Sequence, residues 1–154
     1  MKKIFFILTS CLMIVSFPIQ MVYGNEKTGC KVLEQIFGTN AKAEKGVCKV
    51  EIPRNIPITY RGIKLSPETM ELEFIATFEQ ITHGKTVVTG EFSLLESEVT
   101  PVLDTLRKGN LEISAIHNHW IYEKPRIIYL HFQGVGNMRN LAQTVKAAIQ
   151  ATQS

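Results

Sequence analysis

Residues 96–132 read ESEVTPVLDTLRKGNLEISAIHNHWIYEKPRIIYLHF, and they decide the fold. Val99, Val102, Leu103 and Leu106 recur at i, i+3, i+4 and i+7, which is one apolar helical stripe. Glu96 and Glu98 suit the positive end of a helix dipole, and Arg107 and Lys108 suit the negative end. Pro101 falls in the first turn, where its missing N–H costs little. Gly109 is the expected stop. A helix over Glu96–Lys108 is therefore predicted. Leu111–His119 and Arg126–Phe132 then read as two strands joined by Trp120–Pro125. Upstream, Leu72, Phe74, Ala76 and Phe78 alternate along a strand over Met70–Gln80, and Thr86–Leu94 returns as its partner beyond a tip at His83-Gly84. Downstream, Asn137 is a good N-cap for a helix carrying Met138, Leu141, Val145, Ala148 and Ile149. The order β-α-β-β-α predicts an α+β fold: an antiparallel sheet with both helices on one face.

The N-terminal half adds a helix and hairpins. Cys30–Phe37 puts Val32, Leu33, Ile36 and Phe37 on one side and ends at Gly38. Lys42–Ile52 reads as a hairpin turning at Lys45-Gly46, and Ile58–Leu65 as a short strand pair around Gly62. The first 24 residues read differently. Lys2 and Lys3 precede an apolar run from Ile4 to about Phe17, and Val22 and Gly24 sit like the −3 and −1 positions of a signal-peptidase site. Residues 1–24 are thus expected to be a signal peptide and residues 25–154 one domain. An uncleaved anchor, and lipidation at Cys11 within Leu8-Thr9-Ser10-Cys11, rank below simple export. The apolar run continues past Cys11, so cleavage there would leave half of it on the mature chain. The expected location is secreted or the bacterial cell envelope, with no stable membrane span after processing. In such a compartment Cys30 and Cys48 are expected to pair. The chain holds 17 Lys and Arg against 14 Asp and Glu. Two of those cations fall in the leader, so the remainder is near neutral. No basic block appears, which argues against nucleic acid and gives no sign of an anionic membrane as partner.

The chemistry concentrates in Ala115–Phe132, which carries three of the four histidines. Strand residues i and i+2 share a face, roughly 6.6 Å apart. His117 and His119 therefore aim at a common point and can chelate one divalent metal, with zinc or copper as the expected ion. His131 is a further ligand candidate. A hairpin turning near Ile121–Glu123 would set His117 opposite the residues around Ile127 and leave His131 two pairs away. Glu91 or Glu123 could serve as third ligand or as base. Trp120 with Lys124 and Arg126 could hold a carboxylate or phosphate of a ligand. His83, at its tip, is expected to be solvated.

The segments GEFSLLESEVTPVLDTL and LEISAIHNHWIYEKPRIIYLHFQGVG resemble the family typified by the mycobacterial LppY and LpqO lipoproteins. The shared signature is a Gly-Asp/Glu-apolar strand, a helix of the form E-x-E-V-x-P-V, then H-N-H, E-P-R and H-F. GVCKVEIPR and ITYRGIKLSP are similar to that family's N-terminal part. The resemblance covers nearly the whole mature chain and implies Glu91, His117, Asn118, His119, Pro125, Arg126 and His131 as signature positions, with one copy of the unit. Lys124 departs from the usual acidic residue before Pro-Arg. The family has no assigned function, so the resemblance strengthens a site and names no reaction. Two readings follow. One is a secreted metal-dependent protein, an enzyme or not. The other is a non-catalytic extracellular module that binds a small molecule or an envelope component. A homodimer is compatible with either.

Overall fold

A computed structural model describes residues 26–82 and 84–153. The leader, Cys11 and His83 lie outside the described residues. Helix α1 spans Glu26–Phe37, and strands β1 (Ala41–Glu44), β2 (Val47–Pro53), β3 (Ile58–Tyr60), β4 (Ile63–Leu65), β5 (Glu73–Thr82) and β6 (Lys85–Leu95) follow. Helix α2 (Val99–Lys108), strands β7 (Glu112–Asn118), β8 (Glu123–Lys124) and β9 (Ile127–Gly136), and helix α3 (Met138–Gln150) complete the order. The main sheet has six strands in the order β1-β2-β5-β6-β9-β7, antiparallel throughout. A second sheet has three strands in the order β4-β3-β8. This is the expected α+β architecture.

Helix α2 carries the chain from β6 past one open position to the edge strand β7, and β9 then fills the gap between them. All three helices share a core with one sheet face. Leu33 from α1, Val102 and Leu106 from α2, and Leu141, Val145 and Ala148 from α3 are buried with Val50, Phe74, Phe78, Val88, Phe92, Leu130 and Phe132. Phe74, Phe92 and Phe132 run across three neighbouring strands edge to face, at 4.9 Å between successive ring centroids. Gly90 makes room for this row: a Cβ there would stand 2.2 Å from the Phe132 ring. The bridge Cys30–Cys48 is formed, with Cα atoms 5.4 Å apart, and ties α1 to β2.

The local signals hold closely. Lys45-Gly46 and Arg61-Gly62 both adopt positive φ, the signature of two-residue hairpin turns. Asn137 Oδ1 accepts from the Arg139 and Asn140 N–H groups at 3.0 and 3.4 Å and caps α3. Two expectations shift. Met70 lies in a 3-10 turn (Pro67–Met70) ahead of β5, not in the strand. Glu96–Glu98 is a 3-10 turn, and the α-helix begins at Val99. Gly109 caps the end of α2 as expected, at φ −86°, and Asn110 after it takes the left-handed conformation, at φ 59°. Gly109 is also needed because a Cβ would come within 2.1 Å of Thr144 on α3.

The small sheet contains the expected strand pair Ile58–Leu65, and what local signals did not announce is that β8 joins it. This sheet lies over part of the other face of the main sheet, burying Ile58, Met70 and Leu72 against Ile127 and Tyr129. Arg54, just past β2, joins the two halves. Its guanidinium donates twice to the Glu98 carboxylate, at 2.7 and 2.8 Å, once to the Ser93 carbonyl, and stacks over the Phe74 ring at 4.6 Å. Glu98 also accepts the Leu95 N–H at 2.8 Å, so one carboxylate both starts α2 and anchors the N-terminal half.

Candidate functional site

The uncovered part of the second sheet face carries the histidines. Register places them. Glu91 on β6 stands opposite His131 on β9, and His131 stands opposite Ala115 on β7. One step along, Ser93, Tyr129 and His117 form the next rung. His119 follows, its N–H reaching the Ile127 carbonyl at 3.5 Å. Cross-strand neighbours share a face, so Glu91, His131, His117, Tyr129 and His119 all project the same way. The expected sharing of one face is therefore present, but the register differs. His117 pairs with Tyr129, not with the residues around Ile127, because the connection leaves the hairpin to add β8 to the small sheet. His131 thus sits on the diagonal of His117, within direct reach.

The rings form a ladder. His117 and His131 are nearly parallel, 20° apart with centroids at 5.1 Å, and their Nε2 atoms are 2.9 Å apart. His131 Nδ1 lies 3.3 Å from Glu91 Oε2. His117 Nδ1 lies 3.1 Å from the Asn118 carbonyl oxygen. Both partners only accept, so we assign the proton of each neutral ring to Nδ1. In the neutral rings both Nε2 atoms then carry bare lone pairs, and the two lone pairs face each other. Such a pair repels unless a proton lies between, or a metal ion draws both lone pairs to one side. Tyr129 separates this pair from His119: its ring is 6.0 Å from His117 and 4.1 Å from His119. Its hydroxyl donates to the Met70 and Glu71 carbonyls. Burial first, then Glu91, Glu71 and Glu73, push the Tyr129 phenol far above the ordinary range. Its ring stands as a wall between the imidazoles.

The other expected residues separate. The structure brings His131 to His117 and holds His119 apart, beside Trp120 and with its Nδ1 buried and unpartnered. No group of three or more His, Cys, Asp or Glu side chains among the described residues is arranged to hold a metal ion. Glu123 is buried on β8, and its carboxylate accepts the Ile127 N–H at 3.4 Å, bracing the turn. Strand alternation turns Asn118 to the face opposite His117. Arg126 is exposed, with Glu96 at 3.9 Å. Trp120 meets Tyr60 edge to face at 5.6 Å, and with His119, Ile121 and Tyr122 they line an open hollow of about 510 Å³. Tyr60 comes from β3, sixty positions upstream, and has no periodicity that marks it. The ladder partner Glu91 was legible; the contribution of Tyr129 was not, because alternation alone assigns it only a side of the strand.

The molecule is thus an α+β sheet protein whose open face carries a carboxylate–imidazole–imidazole ladder. A family described as Domain of Unknown Function (DUF1259) matches residues 31–151, and the chain belongs to that family. No curated protein and no solved structure matches the chain. Among the described residues no helix is long and apolar enough to cross a membrane.

Proposed function

We propose that His117 and His131 together bind one divalent metal ion through their facing Nε2 atoms. The supporting observation is the 2.9 Å approach of two nitrogens whose rings each turn the other nitrogen, Nδ1, toward an oxygen that can only accept. With bonds of about 2.0–2.1 Å, two cis ligands stand roughly 3.3 Å apart in a tetrahedral site and about 2.9 Å apart in a tetragonal one. The 2.9 Å separation lies near this range, and with centroids 5.1 Å apart the two rings need only turn so that both lone pairs converge on one ion. Glu91 supplies the carboxylate that commonly backs a ligating histidine, fixing its tautomer and raising its basicity. Two imidazoles leave positions for water or an outside ligand. Glu91 is the nearest acid to that opening, and Glu123, held in its turn, takes no part. Such an open centre suits either chemistry on a bound molecule or simple capture of one.

The wider reading is an exported envelope protein of the LppY/LpqO type, in which the leader is removed and the bridge Cys30–Cys48 reflects an oxidising compartment. A second reading, a non-catalytic binding module, is favoured by the aromatic hollow around Trp120 and Tyr60. Untagged protein decides between them. Zinc or copper should raise the melting temperature, since metal binds the folded state alone. His117→Ala and His131→Ala should each abolish that rise, while His119→Ala keeps it. Binding displaces protons, so the rise should shrink as the medium is acidified. Equal shifts for wild type and the His117→Ala/His131→Ala pair would remove the metal reading and leave the binding module.

A further inference from the structure

We infer that the tip of the small sheet docks on an anionic phospholipid surface. Two loops meet there. The β3–β4 hairpin contributes Arg61 from its turn and Ile63 from the start of β4, and the segment before β8 contributes Ile121 and Tyr122. The Arg61 N–H reaches the Tyr122 carbonyl at 3.4 Å, and the Arg61 guanidinium lies 4.3 Å over the Tyr122 ring, so the loops form one projection. Its apolar side chains face solvent: Ile63 is 65 %, Ile121 70 % and Tyr122 62 % exposed. Among the described residues none buries them, and the helix-side core draws no residue from this tip.

Charge names the occupant. Thr59 pairs with Lys64 on one side and Lys124 on the other, so strand register puts both lysines on one face of the sheet, flanking the threonine. Both are exposed. Neither they nor Arg61 has a carboxylate within ion-pair distance among the described residues. The nearby carboxylate, Glu123, is buried and spent on the Ile127 N–H. A projecting apolar tip with unpaired cations behind it is complementary to an interface with acyl chains below and anionic headgroups above. Aromatic side chains such as Tyr122, Tyr60 and Trp120 favour the same headgroup level. The chain has no contiguous basic block because the cations come from two segments that only the small sheet brings together. This docking is independent of any metal at His117 and His131.

The test uses the oxidised chain from Asn25, which contains every core residue described above. It is mixed with vesicles of phosphatidylcholine alone or with phosphatidylglycerol added. The protein should sediment with the anionic vesicles at low salt, and not with the neutral ones or at high salt. Trp120 is the chain's one tryptophan, so a blue shift of its emission on anionic vesicles reports the tip directly. Lys64→Gln/Lys124→Gln should weaken partitioning roughly 25-fold, at about fivefold per surface charge. Ile121→Ser/Tyr122→Ser should abolish the blue shift. The lysine variant must keep the wild-type melting temperature, since both lysines are exposed, and the Ile121/Tyr122 variant must still melt cooperatively although it loses the Arg61–Tyr122 contact. Failure of folded wild type to sediment with anionic vesicles at low salt overturns the inference, as does undiminished binding of the lysine variant. Binding to a soluble acidic polysaccharide such as heparin without binding to vesicles overturns it in favour of a glycan.

Discussion

Replacing Glu98 with glutamine isolates what the Arg54–Glu98 pair contributes. The substitution keeps size and an oxygen that can still accept the Leu95 N–H, so the start of α2 survives. It removes the charge opposite Arg54, whose side chain is 11 % exposed against 10 % for Glu98. Removing one partner of a buried pair costs about 3–5 kcal/mol, because the other charge is left uncompensated. Arg54 keeps the Ser93 carbonyl and the Phe74 face, which places the expected loss at the lower end, about 3 kcal/mol. Glu98→Ala also loses the cap, about 1 kcal/mol more. Urea unfolding measures both; at a slope of roughly 2 kcal/mol per molar, the midpoint should fall by about 1.5 M for glutamine and about 2 M for alanine. In an Arg54→Met background the cost of Glu98→Gln should shrink, since no charge remains stranded. A Glu98→Gln midpoint within about 0.2 M of wild type would refute the view that this pair joins the two halves of the chain.

Reduction of Cys30–Cys48 should lower stability by about 3 kcal/mol, the loop-closure value for an 18-residue separation, read as a drop in urea midpoint with reductant. Gly90→Ala should cost about 1–3 kcal/mol by overpacking against the Phe132 ring, and Phe132→Leu should make that second change less harmful than it is alone. Glu51 is held below the ordinary carboxylate range by Lys42 and Lys49. A depressed carboxyl stabilises the fold above its unfolded value, and this contribution is lost as pH falls through the folded value. Lys42→Ala/Lys49→Ala should therefore flatten the acid side of the stability profile and leave its neutral-to-basic shape alone, as followed by thermal melts across pH.

Much of this protein was determined by its sequence alone, for a local reason. The stripe of α2, the Asn137 cap, the turns at Lys45-Gly46 and Arg61-Gly62, and the alternation of Phe74, Ala76 and Phe78 are set by residues a few positions apart. Helical and strand periods act over that range, so elements, faces and the α+β order could be read directly. The same periods put His117, His119 and His131 on one side of the sheet. Which of them meet is a matter of register, and register was decided by tertiary structure. The segment after His119 joins a second sheet through Lys124, so His117 lies opposite Tyr129 rather than near Ile127. A two-residue difference in pairing carried His131 into contact with His117 and put the Tyr129 ring between His117 and His119. Glu98 and Glu123 illustrate the same division. As letters they are an ordinary helix-start acid and a spaced carboxylate. Folded, they brace Arg54 and the Ile127 amide, contacts whose partners lie on other elements and leave no local pattern.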